Sequence, residues 1–543
     1  MTSLPKIFRP IDVSQCTHRI INRPEHLSPL GDRRRVATYD RLYERILATR
    51  SPVINQLSNC SAERLSYSRW LANSGFEDSD LIDLSTFRSM TTHRPYRYYA
   101  GKHLLSISDS SNLDCRASKG RIARNDNDLG VLNDNKTRGM IAHCSIGLCA
   151  ESGRVEGMSD LIFFNRLKSL TALDSHRNNH HLSKQLSAKQ KESHVWSVGA
   201  SNSYTLLAAL GCSRITHVFD AGADNIKLFN DLLDASGQQH WYDNYCYLNI
   251  GAQLPDQDFI IRIQHRKRKI TKVHNEDGTI SWWLNGGPVK GSVPQGEQYL
   301  LADALKEQAY EKQKRSVKLK AYNFINKRGK RRRRKARRAK LSNKHLVLNF
   351  IARNGQCYQL RVIHVKEDAK SLPKQEQSSS VDWLLITSIG LDDKYHDWWV
   401  VDAYRQRWQI EQLFRTLKKQ GFRQAKIQLG AVSHLIRIIT LAMQASAQVL
   451  RLVESYKVEE SVPIEEEFTT NELELLSKLN KYYEGDTLKQ KNPFSSSKLA
   501  YASWIIARMG GYKAYSKKPP GPITMARGLE KFRQYMFFKN ELE

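Results

Sequence analysis

Tyr404, Arg407, Glu411 and Lys418 follow one another at spacings of three, four and seven residues. On a helix over 398–420, with about 100° per residue, all four fall within an arc of about 60°. Ile410, Leu413, Phe414 and Leu417 fall on a neighbouring apolar stripe. Such a helix packs its apolar stripe on a core and presents a phenol, a guanidinium, a carboxylate and an ammonium in one row. Two upstream aspartates, Asp109 and Asp220, each follow a short strand-like run, 104–108 and 215–219. Carboxylate oxygens are hard ligands suited to Mg2+, and cations hold phosphate, so this set of groups suits metal-assisted phosphoryl transfer. The same row without chemistry is an amphipathic helix whose Arg407, Glu411 and Arg415 form i,i+4 ion pairs. An aspartate after a strand also serves as a turn or cap residue. Asp114 and Asp224 are the nearest alternative ligands.

The overall charge points to the partner. The 543 residues hold 85 lysines and arginines against 55 acidic residues, a formal charge of +30 and a pI of about 9.7. With 40% hydrophobic residues the chain can bury sizeable cores, as about three domains of roughly 150 residues. A folded protein this basic calls for a polyanion, above all nucleic acid, because phosphate contacts release condensed counterions. An anionic membrane surface or a ribosomal role is the alternative. No membrane segment is expected: the N-terminus lacks the apolar stretch of a signal peptide, and the most apolar run, 435–450, is interrupted by Arg437 and polar residues. The eight cysteines are scattered, and the closest pair, Cys144 and Cys149, lacks zinc spacing. They are expected as reduced core residues in a cytoplasmic setting.

The elements that must position the candidate residues fall into five regions. Residues 1–95 read as a helical N-terminal DNA-binding domain with helices over 38–47 and 62–71. A basic cluster, GDRRR at 31–35, sits just ahead of the first helix, with Arg33 and Arg34 as candidate DNA contacts. A solvated arm accounts for the cluster equally well. Residues 96–240 read as mixed α/β: strands at 104–108, 140–149, 154–164 and 215–219, and a helix at 198–210. Residues 241–375 interrupt this core with short β-type segments. Among them lies KRGKRRRRKARRAK, 327–340, in which eleven of fourteen residues are basic. Such a run repels itself and is expected as a mobile loop or arm until phosphates neutralise it. Arg331, Arg332 and Arg333 are its candidate DNA contacts. A polar linker at 374–380 returns the chain to residues 376–430, with a strand at 381–386 and the helix at 398–420. Residues 431–543 read as a helical C-terminal region, with a sustained helical period over 432–456 and a last helix around 524–537.

The tetrad Tyr404-x2-Arg407-x3-Glu411-x6-Lys418 resembles the signature of the insertion-sequence-four family of bacterial cut-and-paste transposases. Four further segments resemble that family in order: ISDSS at 107–111, RGMIAH at 138–143, VFDAGAD at 218–224 and VDWLLIT at 381–387. Gly510-Gly511 with Pro520-Gly521 resembles its C-terminal segment. The resemblance implies a ribonuclease-H-like α/β catalytic core with a β-rich insertion between the second aspartate and the glutamate, flanked by helical N- and C-terminal regions. It implies Asp109, Asp220 and Glu411 as catalytic ligands of two divalent ions, Mg2+ or Mn2+. Tyr404, Arg407 and Lys418 are implied as phosphate contacts, with Trp383 stacking on a flipped base; a core tryptophan is the alternative for Trp383. The implied reaction is hydrolysis at element ends, a hairpin intermediate, and transfer of the 3′-hydroxyl into target DNA. The implied partners are double-stranded DNA, both inverted-repeat ends and target, and a second copy of the chain in a synaptic homodimer dimerised by its C-terminal region. The setting implied is the bacterial cytoplasm, on the nucleoid. One departure stands out: Ala221 and Gly222 occupy positions where relatives carry arginine and glutamate, so a phosphate contact from that arginine is missing. A ribonuclease-H-like nuclease or resolvase and a non-catalytic nucleic-acid-binding protein are the competing readings.

Overall fold

The helical spacing at 38–47 and 62–71 is realised as α1 (Arg33–Thr49) and α3 (Ser61–Leu71), with a short α2 (Ile54–Leu57) between them and α4 (Asp78–Thr91) following. The computed structural model describes residues 30–94, 98–118, 121–122, 129–132, 137–165, 192–233, 254–289, 291–311, 314–319, 322–325, 331–334, 336–368, 372, 380–392, 394–457, 462–515 and 518–542. The expected linker at 374–380 lies almost wholly outside them. Next come β1 (His103–Asp114), β2 (Gly130–Val131), β3 (Arg138–Cys149), β4 (Val155–Phe164), α5 (His194–Ala209), β5 (Arg214–Phe219) and α6 (Ile226–Leu233). The middle of the chain holds β6 (Asp256–Arg262), β7 (Lys269–His274), β8 (Ile280–Leu284), β9 (Glu297–Leu300), α7 (Leu301–Glu307), β10 (Arg315–Leu319), β11 (Tyr322–Ile325), β12 (Arg331–Arg334), β13 (Arg337–Ile351), β14 (Cys357–Glu367) and β15 (Asp382–Thr387). It closes with α8 (Asp397–Arg405), α9 (Trp408–Arg415), α10 (Val432–Ser455), α11 (Thr470–Tyr483), α12 (Leu499–Met509) and α13 (Pro522–Leu542). The fold is mixed α/β.

Two units divide the chain. The first comprises Met1–His217, His240–Gln257 and Gln406–Glu543; the second comprises Val218–Gln239 and Asp258–Arg405.

In the first unit the strand order is β4-β3-β1-β5, with β2 also on β3. β1 runs antiparallel to β3, and β3 antiparallel to β4. Ten consecutive residues of β3 are buried, Gly139 to Leu148, because helices cover both faces of the sheet. The long helix α10 packs on α1, α4, α9, α12, α13 and β4. Among the described residues it is the one helix long and apolar enough to cross a membrane, and 89% of its apolar window is buried inside the protein. Arg437, which interrupts its apolar sequence, is 6% exposed. Its guanidinium donates to the carbonyls of Leu71, Asn73 and Phe76 and pairs with Asp78 at 2.7 Å. A buried charge is tolerated here because every side of it meets an acceptor. The Gly510 and Gly528 positions let α12 and α13 touch backbone to backbone: a Cβ on Gly528 would lie 1.6 Å from the Ile506 carbonyl oxygen.

In the second unit the order is β6-β15-β14-β13-β8-β7-β9, with β10 also on β13. β13, β14 and β15 form an antiparallel run whose apolar residues Leu348, Leu360, Val362, Leu385 and Ile386 are buried.

The basic run is not a free arm over its described residues, which corrects the expectation. Arg331–Arg334 pairs with Tyr322–Ile325 as a hairpin, and from Arg337 onward the chain is already β13, flanked by β10 and β14. The reason is a period of two hidden by the composition. Ala339, Leu341 and Asn343 point inward and are buried, while Arg338 and Lys340 alternate outward. Arg337 shares the inward face because Glu367, on β14, pairs with it in a two-pronged ion pair.

Candidate functional site

Strand β1 does not stop at Asp109. It continues five residues beyond, and Asp109 sits mid-strand opposite Cys144. The expectation of a strand end is therefore corrected: Ser110, Ser111 and Asn112 are polar, but β3 supplies a partner for each, and pairing rather than apolar content sets the length. A strand alternates its side chains. Ser106 and Ser110 reach the face covered by α5: Ser106 meets Ser203 of α5 at 2.8 Å, and Ser110 meets His143. Asp109 and Ser111 face the other way, toward α9 and the turn after it.

The row expected on one helix over 398–420 is divided. Gln406 and Arg407 are turn residues between α8 and α9, and the chain passes from the second unit to the first at this break. Neither proline nor glycine occurs in the stretch, so propensity gives no sign of it. The backbone instead tightens, with the amides of Gln409 and Ile410 donating three residues back, to Gln406 and Arg407. A π turn at Thr416–Gln420 then follows α9, a geometry that recurs at functional sites.

Below the break the arrangement converges. Arg407 Nη1 lies 3.3 Å from Asp109 Oδ2, and Arg407 Nη2 donates to Glu411 Oε1. One guanidinium thus joins a carboxylate of the sheet to a carboxylate of the helix, across 298 residues of sequence in the case of Asp109. Lys418, carried by the π turn, donates to Ser111 Oγ at 2.6 Å. The apolar stripe is buried as read: Ile410, Leu413 and Leu417 are 0% exposed and Phe414 5%. Arg407, Asp109 and Glu411 keep side-chain exposures of 18%, 19% and 34%, so the group is open to solvent and solute. Two acceptor-only carboxylates drawn to one cationic centre are a donor set that fits a hard divalent ion. The i,i+4 pair from Arg407 to Glu411 also forms, and the same guanidinium reaches Asp109 on β1.

Several of the remaining candidates lie in the second unit. Asp220 directly follows β5, as read, and its carboxylate accepts from the Gly222 amide at 2.8 Å, capping the turn Ala221–Ala223. Asp224, the alternative ligand, is committed to structure: it accepts from the amides of Gln264 and His265 and pairs with Arg268. Asp114, the other alternative, is bound to Arg116 in the first unit. Trp383 is half-buried on β15, with Tyr404 of α8 against it, ring centroids 5.7 Å apart at 65°. Tyr404 is 5% exposed and lies with Trp383 in the second unit, on the other side of the break in sequence from Arg407. Among the described residues, Glu311, His345 and Asp397 are a further group whose ligand atoms lie within 4.8 Å of one another. Asp397 there is already held by Arg361, His345 and Asn343.

Arg33 and Arg34 are exposed, but they form the first turn of α1 rather than an arm before it, and Asp32 caps that turn by accepting from the Arg34 amide. Arg35 is structural, donating to the carbonyls of Leu30 and Gly75. Arg331, Arg332 and Arg333 lie on β12.

The sequence reading missed Ser110 and His143 as a pair, and the buried Asp160 beside them. The alternation was the available signal, since period two puts Ser106, Ser108 and Ser110 on the face opposite Asp109 and Ser111. No protein-family model matches the chain.

Proposed function

We propose that the chain is a metal-dependent DNA phosphoryl transferase, a cut-and-paste transposase of the insertion-sequence-four type with a ribonuclease-H-like core. The observation that carries this reading is the convergence of Asp109 and Glu411 on Arg407, with Lys418 reaching the same strand at Ser111. Asp109, Arg407, Glu411 and Lys418 are among the residues the resemblance selects; Asp220, Trp383 and Tyr404 lie in the second unit. The strand order β4-β3-β1-β5, with antiparallel β1, β3 and β4 and the helix α5 against them, agrees with a ribonuclease-H-like core. The charge of +30 agrees with a DNA partner.

On this reading Asp109 and Glu411 would hold divalent ions, and the resemblance implies Asp220 as a further ligand. The ions, when bound, activate the attacking oxygen and stabilise the leaving one. Arg407 balances the carboxylates in the free protein and turns its planar fork to a phosphate when they are otherwise neutralised. Lys418 supplies a point charge beside Ser111. Trp383 offers an aromatic face for a displaced base, with Tyr404 supporting its ring. The homodimer, the hairpin step and the bacterial cytoplasm belong to the same proposal, and the described cysteines are all free thiols.

A plasmid in which the DNA from both sides of the gene brackets a marker, incubated with protein and Mg2+, tests it. Excised element and joined product are expected. Nicks at the ends without joined product would assign the site to a nuclease or resolvase. Intact plasmid despite tight binding would assign the chain to non-catalytic DNA binding.

A further inference from the structure

Under the sheet, on the side away from Asp109, lies a buried polar pair that the chemistry above does not use. His143 on β3 is 0% exposed and Asp160 on β4 is 5% exposed. His143 Nδ1 meets Ser110 Oγ at 2.9 Å, and Asp160 Oδ1 accepts from Asn202 Nδ2 at 3.0 Å. His143 Nε2 and Asp160 Oδ2 have no hydrogen-bond partner among the described residues. Both atoms face Gly199 of α5: a Cβ built there would lie 2.7 Å from the first and 3.3 Å from the second. Any side chain at 199 would push the ring aside. The indole of Trp196 packs edge-on against the imidazole, 4.9 Å between centroids, fixing its tilt. A cluster of hydroxyls, Ser106, Ser159, Ser203 and Ser108 with Ser145, fills the rest of this layer.

Ser110 joins the two faces. Its hydroxyl meets His143 on the α5 side, and its backbone amide donates to Asp109 Oδ1 at 2.8 Å on the other. Ser110 therefore makes a side-chain contact beneath the sheet and a backbone contact with the Asp109 carboxylate above it. The Asp109 carboxylate is held from two sides, by the Ser110 amide at Oδ1 and by Arg407 at Oδ2. Buried ring and carboxyl agree on charge: burial pushes His143 down to about 3 and Asp160 up to about 8, so near neutral pH both are uncharged and the layer holds as a neutral network.

We infer that His143 is a positioning residue for Asp109, acting through Ser110, with Gly199, Trp196 and Asp160 holding its ring in place. This rests on the reading of Asp109 as a metal ligand. It is distinct from that reading because it assigns a role to residues that touch neither metal nor DNA. Groups that orient a ligand from behind change metal affinity by about tenfold to a hundredfold when lost.

The test uses full-length protein and Mn2+ as the probe, with affinity read by calorimetry and fold by thermal unfolding. In His143→Asn the amide nitrogen overlays Nδ1 and keeps the Ser110 contact. In His143→Gln it overlays Nε2 and loses that contact. Both variants lose the ring and its packing on Trp196, so a merely structural role lowers both melting temperatures and treats the two alike. The expected result is Mn2+ affinity within about twofold of wild type for His143→Asn and weakened about tenfold for His143→Gln and for Ser110→Ala. Equal Mn2+ affinity in the three variants and wild type would overturn the inference while leaving the ligand role of Asp109 intact. If Asp109→Asn binds Mn2+ like wild type, the ligand reading fails and the inference fails with it.

Discussion

Arg407 Nη1 stands 3.3 Å from Asp109 Oδ2 while the same guanidinium also donates to Glu411. An arginine placed between two carboxylates holds together what like charge would separate. It also competes with any cation for the same oxygens. Arg407→Gln is therefore expected to bind Mn2+ at least as tightly as wild type, and to bind element-end DNA about tenfold more weakly, since one charged hydrogen-bonding group to phosphate is lost. Calorimetry with Mn2+ and a DNA-binding titration at fixed salt measure the two. Unchanged DNA affinity would remove Arg407 from the phosphate contacts.

The buried layer gives a pH signature whose sign can be worked out. Asp160, pushed up to about 8 by burial, keeps its proton in the native state over a range where the unfolded chain has released it. The native state then binds more protons, and stability falls as pH rises through that range. His143, pushed down to about 3 by burial, does the reverse up to its unfolded value near about 6.5. The two oppose each other from about 4 to 6.5, and only Asp160 acts from about 6.5 to 8. Denaturation at pH 6.5 and at pH 8 is expected to show a loss in wild type that Asp160→Asn reduces. Parallel losses in both proteins would contradict the buried acid's role.

The pair of Arg337 with Glu367 tests the order of the basic run. Glu367 is 1% exposed, and its Oε2, already on Arg337 Nη2, also accepts from the Val381 amide at 2.9 Å. Glu367→Ala leaves a half-buried guanidinium without its partner and is expected to lower stability by about 3 kcal/mol. Urea denaturation followed by circular dichroism checks it. A loss under about 1 kcal/mol, the value of an exposed pair, would mean that this end of β13 is loosely held.

Arg437 is expected to matter to the fold and not to DNA. It ties α10 to carbonyls at the end of α3 and just after it, and to Asp78 at the start of α4. Arg437→Met strands those groups and is expected to cost about 3 kcal/mol or more, seen as faster proteolysis between α3 and α4. DNA affinity per folded molecule should stay unchanged.

Much of the fold was legible because its elements follow simple periods. The strands β3, β4 and β5 and the helices α1, α3, α5, α10 and α13 lie where apolar spacing located them, within a few residues. The site was legible where side chains interact along one helix, as with Arg407 and Glu411. It was not legible where pairing across the sheet decides. Ser110 and Ser111 extend β1 because β3 offers partners, and no local signal shows that. The break at Gln406 and Arg407 carries no proline or glycine, so the helical wheel treated 398–420 as one helix. The basic run concealed a strand because net charge hid the buried positions Ala339 and Leu341. His143 and Asp160 stood out only once β3, β4 and α5 had brought their orphaned atoms to one glycine.

Glu411 is the residue on which the account depends most, since it is the helix-borne acid of the group and the wheel, the resemblance and the Arg407 contact all select it. The most direct measurement is Mg2+-dependent cleavage of a duplex bearing an inverted-repeat end, by wild type and by Glu411→Gln, both confirmed folded. The expected result is a cut at the element boundary leaving a 3′-hydroxyl, reduced at least about a hundredfold in the variant, as befits loss of a ligand needed in the transition state. Cleavage by Glu411→Gln at the wild-type rate would contradict the account.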